Sequence, residues 1–219
     1  MKSALIPLTR RLGVATTIMS KERIQPSPAA VTIKPSQKMP NATIAGGALN
    51  TAAGVGAVVL GGQQNYATHD YSKVSGQGAV TRNIHSDVDG AMFANLGDAQ
   101  RAHYTIVGQS GGEALTVALG PEVPVSGAIA FSALISAKQF GNASAGFEIK
   151  GVIRNYGGTV ALVSGGIINT LGNEIDFASG VLPPVSPNVS GNQLAFVLSG
   201  VRGGTVRWVI SLETAEVVY

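Results

Sequence analysis

Residues 44–79 repeat with a period of 15. Ile44-Ala45-Gly46-Gly47, Val59-Leu60-Gly61-Gly62 and Val74-Ser75-Gly76-Gln77 align as a β-branched residue, a variable one, Gly, then Gly or Gln. Asn50 falls on Asn65, and Ala52 on Ala67. A unit this short cannot enclose an apolar side chain alone, so successive units must stack as coils. Glycine supplies positive φ at the turns and asparagine tolerates it. The β-branched column Ile44, Val59 and Val74 is expected to stack inside. Three coils make a small core, and bundling about a three-fold axis would cover the apolar face that remains.

Composition agrees with a chain of turns and strands. Glycine is 29 of 219 residues, about 13% against a usual 7% or so, and charged residues are 12% against roughly 25%. Cysteine is absent, which excludes disulfides, thiolate metal sites and a cysteine nucleophile. No cofactor-binding fingerprint is present: Gly54-Val55-Gly56-Ala57-Val58-Val59 lacks the third glycine of a dinucleotide motif. No cofactor and no resident metal are therefore expected.

Three segments are read. Residues 1–41 form an extended basic arm, punctuated by Pro7, Pro26, Pro28, Pro35 and Pro40. Its cations include Arg10, Arg11, Lys21, Arg23, Lys34 and Lys38, which are the candidate contacts to a partner. Residues 1–40 carry seven basic side chains against Glu22, a charge of +6, whereas residues 41–219 carry eight against eleven, a charge of −3. A basic arm on a mildly acidic body fits docking on a negative surface; a solvated terminus is the alternative. Arg10, Arg11 and Pro7 interrupt the one stretch that resembles a secretory leader, and Asn41–Thr68, though uncharged, is too rich in Gly, Asn, Gln and Thr for a membrane span. A membrane partner is set aside. So is nucleic acid, because the first 65 residues hold no aromatic to interleave with the cations.

Residues 42–100 hold the repeats and a connector, residues 80–100. Residues 101–219 read as strands 4–9 residues long, separated by Gly, Pro, Asn and Ser. They are His103–Val107, Ala114–Ala118, Ile129–Ile135, Ala145–Ile153, Val160–Val163, Gly166–Thr170, Gln193–Leu198, Thr205–Ser211 and Thr214–Val218. No segment has helical period. The expected fold class is all-β: an extended arm, a short glycine-rich β-solenoid or β-roll, and a C-terminal antiparallel, jelly-roll-like β-sandwich in a homotrimer.

The glycine-punctuated repeat resembles the head repeats of trimeric autotransporter adhesins and the shafts of phage fibres. The C-terminal segment resembles a β-domain of tailed-bacteriophage virion proteins, through Gly97-Asp98-Ala99-Gln100, Ala145–Ile153, Ala161-Leu162-Val163, Arg207-Trp208-Val209 and Glu216-Val217. The two resemblances cover about residues 42–219 and rest on packing motifs. They imply a homotrimeric virion component and carry over no catalytic residue. The repeats are fewer than in adhesins or long fibres, and no membrane anchor follows them, which favours a short decorating protein.

Chemical motifs are sparse. Gly108-Gln109-Ser110-Gly111-Gly112 matches the nucleophile-elbow pattern, but a strand-like segment follows where a helix is required, so a glycine-rich hairpin is read. His85, Asp87 and Asp89 share one face of an extended segment and Asp70 neighbours His69, a set that could hold a cation about an axis; a solvated connector is the simpler reading. Glu148 and Glu216 are expected to pair with Lys150 or Arg207 across strands. Trp208, the single tryptophan, is read as core, with a sugar-stacking platform as the alternative.

The expected function is thus a non-enzymatic, homotrimeric capsid decoration or cement protein of the virion. It would bind the major capsid protein or other virion proteins through its arms, with Ile44, Val59 and Val74 in the trimer shaft. The alternative is a tail-fibre or head-fibre protein that binds host-surface carbohydrate through residues 101–219.

Overall fold

The computed structural model describes residues 41–112, 114–139, 143–173, 184–201 and 204–219. The arm cations Arg10, Arg11, Lys21, Arg23, Lys34 and Lys38 lie outside the described residues. The regular elements of the described chain are all strands. Six short ones come first: β1 (Thr43–Ile44), β2 (Thr51–Ala52), β3 (Val58–Val59), β4 (Tyr66–Ala67), β5 (Lys73–Gln77) and β6 (Ser86–Ala91). Longer ones follow: β7 (Ala99–Gly111), β8 (Leu115–Glu122), β9 (Gly127–Gln139), β10 (Ser144–Tyr156), β11 (Thr159–Asn173), β12 (Val185–Ser190), β13 (Gln193–Ser199) and β14 (Thr205–Val218).

The repeats pair in parallel. β1, β3, β5 and β6 bring Ile44, Val59, Val74 and Val88 into one column. Val59, Val74 and Val88 are completely buried within the single chain, and Ile44 is half-buried. A second parallel ladder joins β2 to β4 and aligns Ala52 with Ala67, both buried. The repeated asparagines knit the coils together. Asn65 donates through Nδ2 to the carbonyls of Gly61 and Gly76, at 2.9 Å each, and accepts the Ala79 N–H at 2.9 Å. Asn50 Oδ1 accepts the Asn65 N–H at 3.0 Å. Both side chains are buried, and both satisfy backbone groups that the tight coils would otherwise leave unpaired. The glycines have a steric role here: Gly62 sits at φ +91°, and a Cβ on it would collide with the Gly76 carbonyl.

Two sequence expectations are corrected in this region. Val59 pairs with Val74, 15 residues on, but Gln63 pairs with Gln77, only 14 on. One residue is missing from the third coil, so Gln77 stands opposite Gln63 and not opposite Gly62. The next coil keeps the shorter spacing, with Val74 on Val88 and Gly76 on Gly90. Residues 86–91, expected to be a connector, therefore form a further rung. A fixed 15-residue template overlooks a rung displaced by one.

β6 pairs in parallel with β5 on one side and antiparallel with β7 on the other. The coil ladder thereby runs without a break into a nine-stranded mixed sheet, ordered β1-β3-β5-β6-β7-β14-β9-β10-β11. A three-stranded sheet, β12-β13-β8, covers part of its inner face. The long strands alternate buried and exposed residues, as strands with one solvated face must. Tyr104, Ile106, Ile129, Ile135, Trp208, Ile210 and Leu212 point inward and meet Leu194, Phe196 and Leu198 of β13 in one core. Phe131 and Phe196 pack edge to face at 6.2 Å. Each large aliphatic side chain removed from water contributes roughly 2 kcal/mol. Trp208 is core, as expected: it is 1% exposed and its indole donates to Ser110 Oγ at 3.0 Å.

Other boundaries shift. Val160–Val163 and Gly166–Thr170 belong to one strand, β11, and Thr205–Ser211 and Thr214–Val218 to another, β14. β12 was not expected, because Pro187 interrupts it; on an outer strand, proline removes no needed donor. The glycine-rich segment after β7 is not a hairpin, since β8 pairs with β13 and not with β7. It is a corner at which the chain leaves one sheet for the other. No helix among the described residues is long and apolar enough to cross a membrane.

Candidate functional site

Alternation that buries even-numbered residues of β7 and β14 turns their odd-numbered ones outward, and on β9 and β10 the even-numbered ones face out. The outer face is built largely from short side chains. In register across β7, β14, β9 and β10 stand Val107–Val209–Ser136–Gly146, then Thr105–Ser211–Leu134–Glu148. His103–Glu213–Ser132–Lys150 and Arg101–Ala215–Ala130–Val152 follow.

A shallow groove of about 410 Å³ opens on this face. Ala130, Ser132 and Ala215 give it a low floor, and Arg101 and Glu213 stand at its sides. Phe131 and Thr214 also line it, but their side chains are buried on the opposite face. Arg101 reaches Asp89 of β6 at 3.5 Å, and His103 Nε2 lies 2.8 Å from Ser211 Oγ. Lys150 pairs with Glu148 at 2.8 Å, and this contact, with Asn169 behind it, holds the Glu148 carboxyl below its ordinary range. A guanidinium donates, a carboxylate accepts and a hydroxyl does both, while a floor of Ala and Ser admits a flat ring against the sheet. The arrangement suits a ligand rich in hydroxyls. No aromatic side chain among the described residues faces the groove, and buried Trp208 is not the stacking platform given as its alternative reading.

A second polar cluster lies on the inner face and fastens the coils to the long strands. Glu216 Oε2 accepts Arg82 Nε and Gln100 Nε2, each at 2.7 Å, and its Oε1 accepts the Tyr104 hydroxyl at 3.0 Å and Thr214 Oγ1 at 2.9 Å. Gln100 also exchanges two hydrogen bonds with the Val80 backbone. Burial first, then the Glu216 charge, pushes the Tyr104 phenol well above its ordinary value. The expected Glu216–Arg207 pair does not form: their odd and even positions put them on opposite faces of β14. Nor does Glu148 pair across strands, since Lys150 is two residues along its own strand.

The other candidates disperse. Ser110 is buried under Trp208 and is no exposed nucleophile. His85 stacks on Tyr71 at 5.2 Å, Asp87 pairs with Lys73, Asp89 with Arg101, and Asp70 accepts the Val55 N–H at 2.8 Å. No group of three potential metal ligands comes together among the described residues. The groove residues Arg101, Ala130, Ser132, Glu213 and Ala215 escaped the sequence reading. Alternation along 127–139 and 205–218 was the available signal, since it turns Ala130, Ser132, Glu213 and Ala215 to the outer face.

No family model matches the chain, and no curated protein matches it. Among solved structures it is similar to the tailspike protein gp49 of Acinetobacter baumannii bacteriophage Fri1, a capsular polysaccharide depolymerase. That match has 10% identity and a TM-score of 0.32, and covers 75% of this chain and 34% of that one. It is also similar to the tailspike protein of Acinetobacter phage vB_ApiP_P1, at 12% identity and a TM-score of 0.26, over 77% of this chain and 39% of that one. The chain thus spans little more than a third of the length of either. One expectation is corrected by this comparison. The chain was read as non-enzymatic, whereas the first of these structures is an enzyme, and that exclusion is withdrawn.

Proposed function

We propose that this chain is a virion component of a tailed bacteriophage, of the fibre or spike kind, that engages host-surface carbohydrate with the outer face of its nine-stranded sheet. The observation that carries the reading is the groove floored by Ala130, Ser132 and Ala215 and flanked by Arg101 and Glu213. Its donors and acceptors fit hydroxyl groups, and its shallowness fits a polymer that lies along the sheet. The continuous ladder behind it supports the reading too, because a rigid stack can hold a binding face away from its attachment point. The capsid-decoration reading, which rests on the basic arm and the shortness of the repeat shaft, is placed second; the arm residues lie outside the described ones. Association of three copies through the coils would cover apolar side chains such as Leu49 and Leu60, which are exposed in the single chain.

The test is binding of the full chain to a panel of bacterial surface polysaccharides, with Ala215→Trp as the variant. An outward tryptophan on a strand is well tolerated and fills the groove floor. Specific binding that Ala215→Trp weakens at least tenfold supports the proposal. Absence of binding to any polysaccharide, or an unaffected variant, overturns it. Reducing ends measured in the same incubations report whether bound polymer is cleaved.

A further inference from the structure

The cations of this protein are not spread evenly. Residues 41–219 carry eight basic and eleven acidic side chains, a charge of −3. The outer face of β7, β14, β9 and β10 carries Arg101, Lys138, Lys150, Arg154 and Arg207 against only Glu148 and Glu213, a charge of +3. An acidic body has thus gathered most of its positive charge on one flat face, the same face that holds the groove.

Within that face one directly opposed pair of cations has no carboxylate partner among the described residues. Arg207 and Lys138 stand directly opposite each other in the β14–β9 register, both exposed. Neither makes an ion pair with a described residue, whereas Arg101 and Lys150 each have a carboxylate partner. Like charges directly opposite on paired strands are destabilising. Their described register neighbours, Gln109 and Ser144, carry no charge. An anion seated between the two side chains would remove the repulsion.

From Arg207 to Ala215 is eight residues of β14, about 27 Å at roughly 3.4 Å per residue. Between these points the outward side chains of β14 and its neighbours are mainly Val, Ser, Thr and Leu. On β7, β14, β9 and β10 the one outward Phe, Tyr or Trp is Tyr156, at the end of β10 far from Lys138, where a single-stranded nucleic acid would need a run of such rings to stack its bases. We infer that the ligand of this face is an acidic polysaccharide that lies along β14, with one carboxylate held by Lys138 and Arg207 and a neutral portion in the Ala215 groove. This inference rests on the carbohydrate reading above and narrows it to a carboxylate-bearing polymer.

The experiment measures binding of the full chain to hyaluronate, whose carboxylate-bearing and neutral sugars alternate, to the same polymer after carboxyl reduction, and to a single-stranded oligodeoxynucleotide. The acidic polymer is expected to bind at least tenfold more tightly than its reduced form and to weaken as salt is raised. The double variant Lys138→Gln/Arg207→Gln is expected to lose that tenfold preference without a lower melting temperature, since it relieves a repulsion. Equal binding of the two polymers, no binding of hyaluronate, or an unaffected double variant overturns the inference. If Ala215→Trp still weakens binding to a surface polysaccharide in those cases, the carbohydrate reading survives on its own. Tighter binding of the oligonucleotide overturns it in favour of a nucleic-acid partner.

Discussion

Asn65 shows how one side chain can hold a coil. Three of its hydrogen bonds go to backbone groups of its own and the next coil, in a site with no access to water. Asn65→Ala takes the partner from the Gly61 carbonyl and from the Ala79 N–H, while the Gly76 carbonyl keeps the Gln63 N–H at 3.1 Å, and each buried unsatisfied group costs about 1–3 kcal/mol. A loss of about 2 kcal/mol or more in urea unfolding is expected, against little change for exposed Gln63→Ala. Glu216 is the second such residue. Glu216→Ala strands Arg82 in a largely buried position, and removing one partner of a buried pair costs about 3–5 kcal/mol. Glu216→Gln, which keeps the shape and two acceptor sites, should lose distinctly less in the same denaturation experiment. The alignment of Asn50 with Asn65 was visible in the sequence, because a repeat exposes whatever it conserves internally. The Glu216 cluster was not. Its partners Arg82, Gln100 and Tyr104 lie more than a hundred residues away in the chain, and only the strand register brings them together.

At the scale of elements, the turn between β6 and β7 is the clearest case. Asp98 accepts the backbone N–H groups of Phe93, Ala94 and Asn95 at 2.7–2.9 Å. These bonds, that to Asn95 foremost, hold its carboxyl below the ordinary value of 3.8. A carboxyl whose value falls on folding stabilises the fold fully above its unfolded value, and that contribution is lost as the pH falls through the lower, folded one. Melting temperature recorded from pH 5 down to pH 2 should therefore drop more steeply for the wild type than for Asp98→Asn. Parallel curves for the two would show that the turn does not depend on this charge. The coils and long strands were legible because glycine spacing and alternation are local signals. The fourth rung was obscured by a single missing residue. β12 was obscured by Pro187, and the β7–β8 corner by the assumption that neighbouring strands pair.

For the whole molecule, the exposed apolar side chains of the coil stack and its adjoining turn, Leu49, Leu60 and Phe93, argue for association. Light scattering should give a mass near three times 22.2 kDa. A mass of one chain would remove the trimer from the account while leaving the binding face in place. That face could not be seen in the sequence as a site, because its residues are ordinary ones drawn from four strands and only the sheet order assembles them. The alternation that creates it was nevertheless readable in Thr205-Val206-Arg207-Trp208-Val209.

The most direct test of the claim that this face is the binding surface is a lysine-acetylation footprint. Lys138 and Lys150 lie on the face and Lys73 lies on the coil stack, so the chain carries its own control. With a bound surface polysaccharide, Lys138 and Lys150 should lose reactivity several-fold while Lys73 is unchanged. Protection of Lys73 or of the arm lysines, with Lys138 and Lys150 still reactive, would contradict the account.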